Sequence, residues 1–179
     1  YFVQKMGGIT TDITRETLAE FCGEPGMKYR AAPAGIVDSE LTEGILNLPG
    51  DFELARPLTR SKLKFTLTGP HMLSKVLMDR HYKNREELAM AIGGVLATQV
   101  AHIDADVIQV DEANIPGHPE EAQWAAAAIN TVLDAVPCEK AVHVCFGNYG
   151  GQSVQKGTWE ALVPYLDALR ADHLVLEFK

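Results

Sequence analysis

His143, Val144 and Cys145 close one apolar run of the chain, and Glu177 closes the next. On an extended strand alternate side chains share a face, so His143 and Cys145 point one way and Val144 the other. An imidazole, a thiol and a carboxylate at neighbouring strand ends can converge on one point. Such nitrogen, sulfur and oxygen donors suit zinc, whereas a soft thiolate beside a nitrogen argues against calcium or magnesium. His and Cys two apart also occur in buried strands where they only pack, so the pair by itself leaves both readings open.

Other chemistry-bearing residues cluster in the same kind of position. Asp111 and Glu112 end a third apolar run. Adjacent strand residues face opposite sides, so the two carboxylates are not expected to share one substrate, and Asp111 is taken as the inward one. His118, in the loop that follows, is a weak candidate for proton transfer; a solvated loop histidine before the helix, with no required partner, is its more ordinary reading. Gly147 to Gly151 lacks the Lys-Ser/Thr of a phosphate loop and the spacing of a dinucleotide fingerprint, and reads instead as a flexible active-site loop. Ser153 has no Gly-x-Ser-x-Gly turn around it, which argues against a serine hydrolase. Trp124 and Trp159 fall on helical patterns and read as packing residues.

These residues are positioned by an alternation of strands and helices that starts near Ser61 and predicts a parallel α/β sheet. Leu63 to Leu67 alternates as a strand and stops at Thr68-Gly69-Pro70. Asn84, with Glu87 three residues on, caps a helix carrying Leu88, Ile92, Val95 and Leu96. Val107 to Val110 is a β-branched strand. Pro119 suits a first helical position, and Ala122, Ala126, Ile129 and Leu133 follow at helical spacing until Pro137. Ala141 to Cys145, a helix around Trp159 to Leu169 that contains Pro164, and His173 to Leu176 complete the series. In the less regular first sixty residues, Thr14 to Cys22 predicts a short helix and Ala31 to Val37 a strand. Ligands of parallel α/β proteins bind at the carboxyl ends of the strands, which is where Asp111, His143, Cys145 and Glu177 all fall.

The 179 residues, 46% of them hydrophobic, suffice for one sizeable core. A net charge of −8, with no Lys/Arg cluster, excludes nucleic acid and anionic membrane as expected partners. No run reaches the ~18 apolar residues of a membrane helix. Three cysteines, Cys22, Cys138 and Cys145, make no paired framework and fit a reducing cytoplasm, where free thiols remain available as ligands. A homo-oligomer is compatible with this composition.

Lys64 to Pro70, Ile108 to Glu112, His143 to Asn148 and Leu174 to Phe178, in that order and spacing, resemble the cobalamin-independent methionine synthases. Their shorter zinc-dependent relatives, within the uroporphyrinogen decarboxylase-like superfamily, share the likeness. The resemblance implies a (β/α)8 TIM-type barrel. An ordinary barrel needs about 250 residues, so residues 1–179 are expected to form a single partial barrel domain from its central portion. It also implies zinc held by His143, Cys145 and Glu177, and Asp111 binding the amino group of homocysteine. The activity implied is a methyltransferase of methionine biosynthesis, with a thiol acceptor and a methyl donor as its small-molecule partners.

Departures from the family pattern qualify this. The family's fourth zinc ligand and its proton-donating histidine lie downstream of the position of Glu177, and its first homocysteine-binding elements lie upstream of Tyr1, so further segments are expected to complete the site. The family's pterin-stacking tryptophan is absent between Met72 and Met78, and its glutamate six residues after Asp111 is Gly117 here; both argue against a folate donor. Two rival readings are a metal-free uroporphyrinogen decarboxylase-like lyase anchored on Asp111, and a non-catalytic remnant or binding module.

Overall fold

The computed structural model describes residues 1–23, 31–82, 84–149, 152–153 and 155–178. The N-terminal third forms α1 (Phe2–Lys5), β1 (Gly7–Thr10), α2 (Arg15–Gly23), β2 (Ile36–Thr42) and α3 (Leu48–Ala55). Thr14 caps α2 as its sequence position predicts, its Oγ1 accepting from Thr17 N at 3.2 Å. The strand expected over Ala31 to Val37 instead runs from Ile36 to Thr42. Pro33 has no N–H for a ladder, and Gly35 lies tight against Ile9 and Thr10. The polar stretch Asp38 to Glu40 is strand all the same, because β1 pairs with β2 antiparallel.

From Lys64 onward the chain keeps the predicted alternation. It runs through β3 (Lys64–Thr68), α4 (Pro70–Lys75), β4 (Met78–Asp79), α5 (Arg85–Val100), β5 (Val107–Glu112), α6 (Ala122–Ala135) and β6 (Glu139–Val144). A small hairpin, β7 (Asn148–Tyr149) with β8 (Gln152–Ser153), precedes α7 (Trp159–Ala168) and β9 (His173–Leu176). Asn84 caps α5 through Oδ1 accepting from Glu87 N at 2.9 Å. The first turn expected from Pro119 is a 3-10 turn, Pro119–Glu121, and α6 starts after it. β4 was not foreseen; it pairs parallel with β2 in a sheet ordered β1-β2-β4.

β3, β5, β6 and β9 form one parallel sheet in that order. Alternation divides its faces. Leu67, Ile108, Val110, Val142 and Val144 are buried against the helices, whereas Gln109, Asp111 and His143 stand half-buried on the other face. Among the described residues no helix is long and apolar enough to cross a membrane. The sheet's helical layer is led by α5 against α6, with Leu88, Ile92, Leu96, Ile129 and Leu133 fully buried in one core. Ile129→Ala should therefore cost ~2–5 kcal/mol, since a buried branched side chain leaves both lost burial and a cavity. Urea unfolding of the intact protein checks this.

Candidate active site at the strand ends

Parallel register assembles the site. Thr68, Asp111 and His143 stand level on β3, β5 and β6, and His143 is level with Val175 on β9. The ladder runs on past the strand ends, Glu177 N donating to Val144 O at 3.4 Å. One step further along that register Cys145 and Glu177 are neighbours. Gly147 then turns the chain at φ +67°, a left-handed conformation that favours glycine.

A polar relay crosses three strands on the open face. Lys64 Nζ donates to Gln109 Oε1 at 2.9 Å, and Gln109 Nε2 donates to Asp111 Oδ1 at 2.7 Å. His143 Nδ1 lies 3.4 Å from the same Asp111 oxygen. Asp111 is thus inward-facing and oriented by an amide two residues before it on the same face. Neither Lys64 nor Gln109 was singled out from sequence, although the period of two already puts Gln109 beside Asp111.

Cys145 is half-buried. Burial raises its thiol above the ordinary value; the Gly147 backbone pulls it down in part, and the Glu177 and Asp111 carboxylates push it up again. A thiol in that field stays protonated near neutral pH unless a cation joins it. The donor set therefore fits a divalent metal, which would offset two carboxylates and ionise the sulfur. The ligand atoms are not drawn together, however. His143 turns toward Asp111, and Glu177 Oε2 accepts from Phe146 N at 3.2 Å. Among the described residues, the group of His, Cys, Asp and Glu side chains whose ligand atoms all lie within 4.8 Å of one another is His118, Glu120 and Glu121.

Beside Glu177 lies a cavity of about 520 Å³ lined by Phe146, Lys156, Thr158, Trp159 and Phe178. Trp159 meets Phe146 edge-on at 5.1 Å between ring centroids and Phe178 at 5.6 Å, so it is both a packing residue and a cavity wall. The Gly147 to Gly151 loop opens with β7, but Gly150 and Gly151 fall outside the described residues.

On the opposite face Glu112 is fully buried, as its place next to Asp111 predicts. His71 of α4, also fully buried, lies with Nδ1 3.4 Å from Glu112 Oε1 and Nε2 2.7 Å from Glu121 Oε2. Lys75 Nζ donates to Glu121 Oε1 at 2.7 Å. Burial works against ionisation of Glu121, but His71 and Lys75 outweigh it and lower the carboxyl to about 2. His118 belongs to this side, with Nδ1 3.3 Å from Glu120 Oε1 and its ring 6.2 Å from that of His71. Trp124 packs on His71 at 4.9 Å and on the core, as expected for a packing residue. His71 carried no sequence signal beyond following Gly69-Pro70.

The comparisons with known proteins agree with this architecture. The family described as cobalamin-independent synthase, catalytic domain, matches residues 28–178. The chain is 28% identical over 158 residues to a methionine synthase of Sulfurisphaera tokodaii, covering 86% of this chain and 43% of that protein. It is 32% identical over 120 residues to a methionine synthase of Sulfolobus acidocaldarius, covering 65% of this chain and 32% of the relative. A 2-hydroxypropyl-CoM lyase of Xanthobacter autotrophicus is 32% identical over 127 residues, covering 69% and 33%. The solved structure of a B12-independent methionine synthase from Shewanella sp. W3-18-1 superposes with a TM-score of 0.78 at 24% identity, covering 97% of this chain and 52% of that one. The chain thus spans between about a third and about half of the length of these relatives, and its parallel α/β sheet is part of a TIM-type barrel. On the match over residues 28–178, the chain belongs to the catalytic-domain family of the cobalamin-independent methionine synthases.

Proposed function

We propose that the intact protein transfers an alkyl group, a methyl group in the first instance, to the sulfur of a small thiol such as homocysteine, and that residues 1–179 are part of one barrel domain. The observation that carries this reading is the register that sets Asp111, His143, Cys145 and Glu177 at adjoining strand ends on one open face. His143, Cys145 and Glu177 would hold zinc, which would supply the positive charge that lets a substrate thiol ionise near neutral pH. Asp111, oriented by Gln109, accepts the ammonium group of the acceptor and sets its sulfur toward the strand ends. The aromatic walls around Trp159 offer an apolar surface beside Glu177 for the alkyl donor. The sulfur then attacks the alkyl carbon: an S–C bond forms, the carbon–donor bond breaks, the donor leaves with its electron pair and the thiol proton goes to solvent.

The relative named as a 2-hydroxypropyl-CoM lyase supports a second reading of the acceptor, a thiol without an amino group. Zinc analysis of the intact protein, purified without chelator, tests the scheme together with turnover on methyl-folate and methyl-cobalamin. Bound zinc and thiol alkylation with a donor other than folate are expected. Absence of zinc would sink the metal assignment, and efficient folate turnover would overturn the donor reading drawn from the Met72 to Met78 stretch and Gly117.

A further inference from the structure

Glu112 is the residue after Asp111, it is fully buried, and neither of its carboxylate oxygens has a hydrogen-bond partner among the described residues. A buried carboxylate is expensive unless a charge answers it. His71 is the group that stands against it: Nδ1, likewise without a hydrogen-bond partner among the described residues, approaches Glu112 Oε1 at the ion-pair distance of 3.4 Å, and Nε2 is hydrogen-bonded to Glu121. A neutral imidazole has one N–H, whereas the doubly protonated ring carries a positive charge and an N–H at each nitrogen, so it is the form that answers a carboxylate on either side. The turn that carries His71 also grips the end of β5 by its backbone. Gly69 N donates to Asp111 O at 2.8 Å, and a Cβ at Gly69 would come within 2.5 Å of Glu112 Oε2.

We propose that His71 is a positioning residue for Asp111: by bridging Glu112 and Glu121 behind the sheet, it ties the turn after β3 to both ends of the 112–121 connection and fixes the strand end that presents Asp111. The role given to Asp111 rests on the function proposed above. Charged and titratable groups surround the bridge: Glu112 on β5 and Glu121 and His118 from the connection face His71, Lys75 on its own helix pairs with Glu121, Glu120 pairs with His118, and Tyr165 on α7 feels Glu112. Burial opposes the charge on His71, but the two glutamates prevail and hold the imidazole above its usual range. A raised folded-state value means that the bridge contributes fully below the ordinary histidine value of ~6.5 and is lost as pH climbs through the raised one.

The test uses the intact protein and two acceptors, homocysteine and 4-mercaptobutyrate, which lacks the amino group. His71→Asn is expected to raise KM for homocysteine roughly tenfold while leaving KM for 4-mercaptobutyrate and the zinc content unchanged. In the parent protein the same KM should rise with pH in step with the His71 titration seen by histidine 15N spectroscopy, and this limb should vanish in the variant. If His71→Asn folds poorly, adding Glu112→Gln removes the unanswered carboxylate and should restore the fold without restoring the limb. Equal losses on both thiols, or a pH limb that persists without His71, would overturn the proposal. A parent protein that treats both thiols alike would refute the reading of Asp111 instead. In that event hydrogen exchange across 113–121 decides the clamp: faster exchange in His71→Asn supports it, and unchanged exchange sinks it.

Discussion

Replacing Cys145 with alanine is expected to lower the zinc affinity of the intact protein by at least about a hundredfold and to abolish thiol alkylation with it. Even groups that merely orient a ligand cost 10–100-fold in metal affinity or activity when removed, and a direct thiolate ligand contributes more. The direction follows from the field at this position. Burial and the carboxylates of Glu177 and Asp111 keep the Cys145 thiol protonated, so metal and thiolate stabilise each other, and deleting the sulfur leaves the negative groups behind. The expected outcome is a protein with its thermal midpoint unchanged in chelator and its metal lost on dialysis. Cys22, exposed and far from the strand ends in sequence, is the control: Cys22→Ala should keep its zinc. Equal zinc contents in Cys145→Ala and the parent would remove Cys145 from the ligand set.

The second large effect is expected at Asp111. Asp111→Asn retains the shape and the contact with Gln109 but removes the charge that answers an ammonium group. Hydrogen bonds to charged groups contribute ~1.5–3 kcal/mol, so KM for homocysteine should rise by roughly 10–150-fold. An acceptor without an amino group should be affected far less. Steady-state kinetics on the two thiols give the answer, and an equal rise for both would mean that Asp111 serves the site in another way. His143 adds a further expectation. Its Nδ1 lies 3.4 Å from the same Asp111 oxygen, so the variant keeps that neighbour but removes its charge, the pull on the imidazole weakens, and zinc content should be held rather than lost.

Much of the open face was legible before any fold was known. The inward placement of Asp111, the outward placement of Glu112 and the shared face of His143 and Cys145 all follow from alternation along a strand, and burial agrees for each. The caps Thr14 and Asn84 were equally readable, because a side chain three residues from the N–H that it accepts needs no other element. The strand at Ile36–Thr42 was misplaced by several residues. Its middle is polar and exposed, and what makes it a strand is pairing with β1 and β4, elements too short for a pattern of their own.

The group behind the sheet was invisible for a related reason. His71, Glu112 and Glu121 are separated by 41 and 9 residues, counted from their positions, and lie on a helix, a strand and a 3-10 turn. No periodicity links them. A buried histidine between two carboxylates comes into being only when α4 folds back over the end of β5.

The sequence by itself therefore determined which side of each strand a functional residue occupies and where helices begin, since side-chain alternation and capping are settled by bonds within a few residues. Tertiary structure alone decided which strands are neighbours, that Asp111 stands level with His143, that Cys145 comes beside Glu177, and that His71 answers Glu112. Those facts depend on register and burial between segments distant in the chain, where local preference says nothing and the shared core selects the pairing.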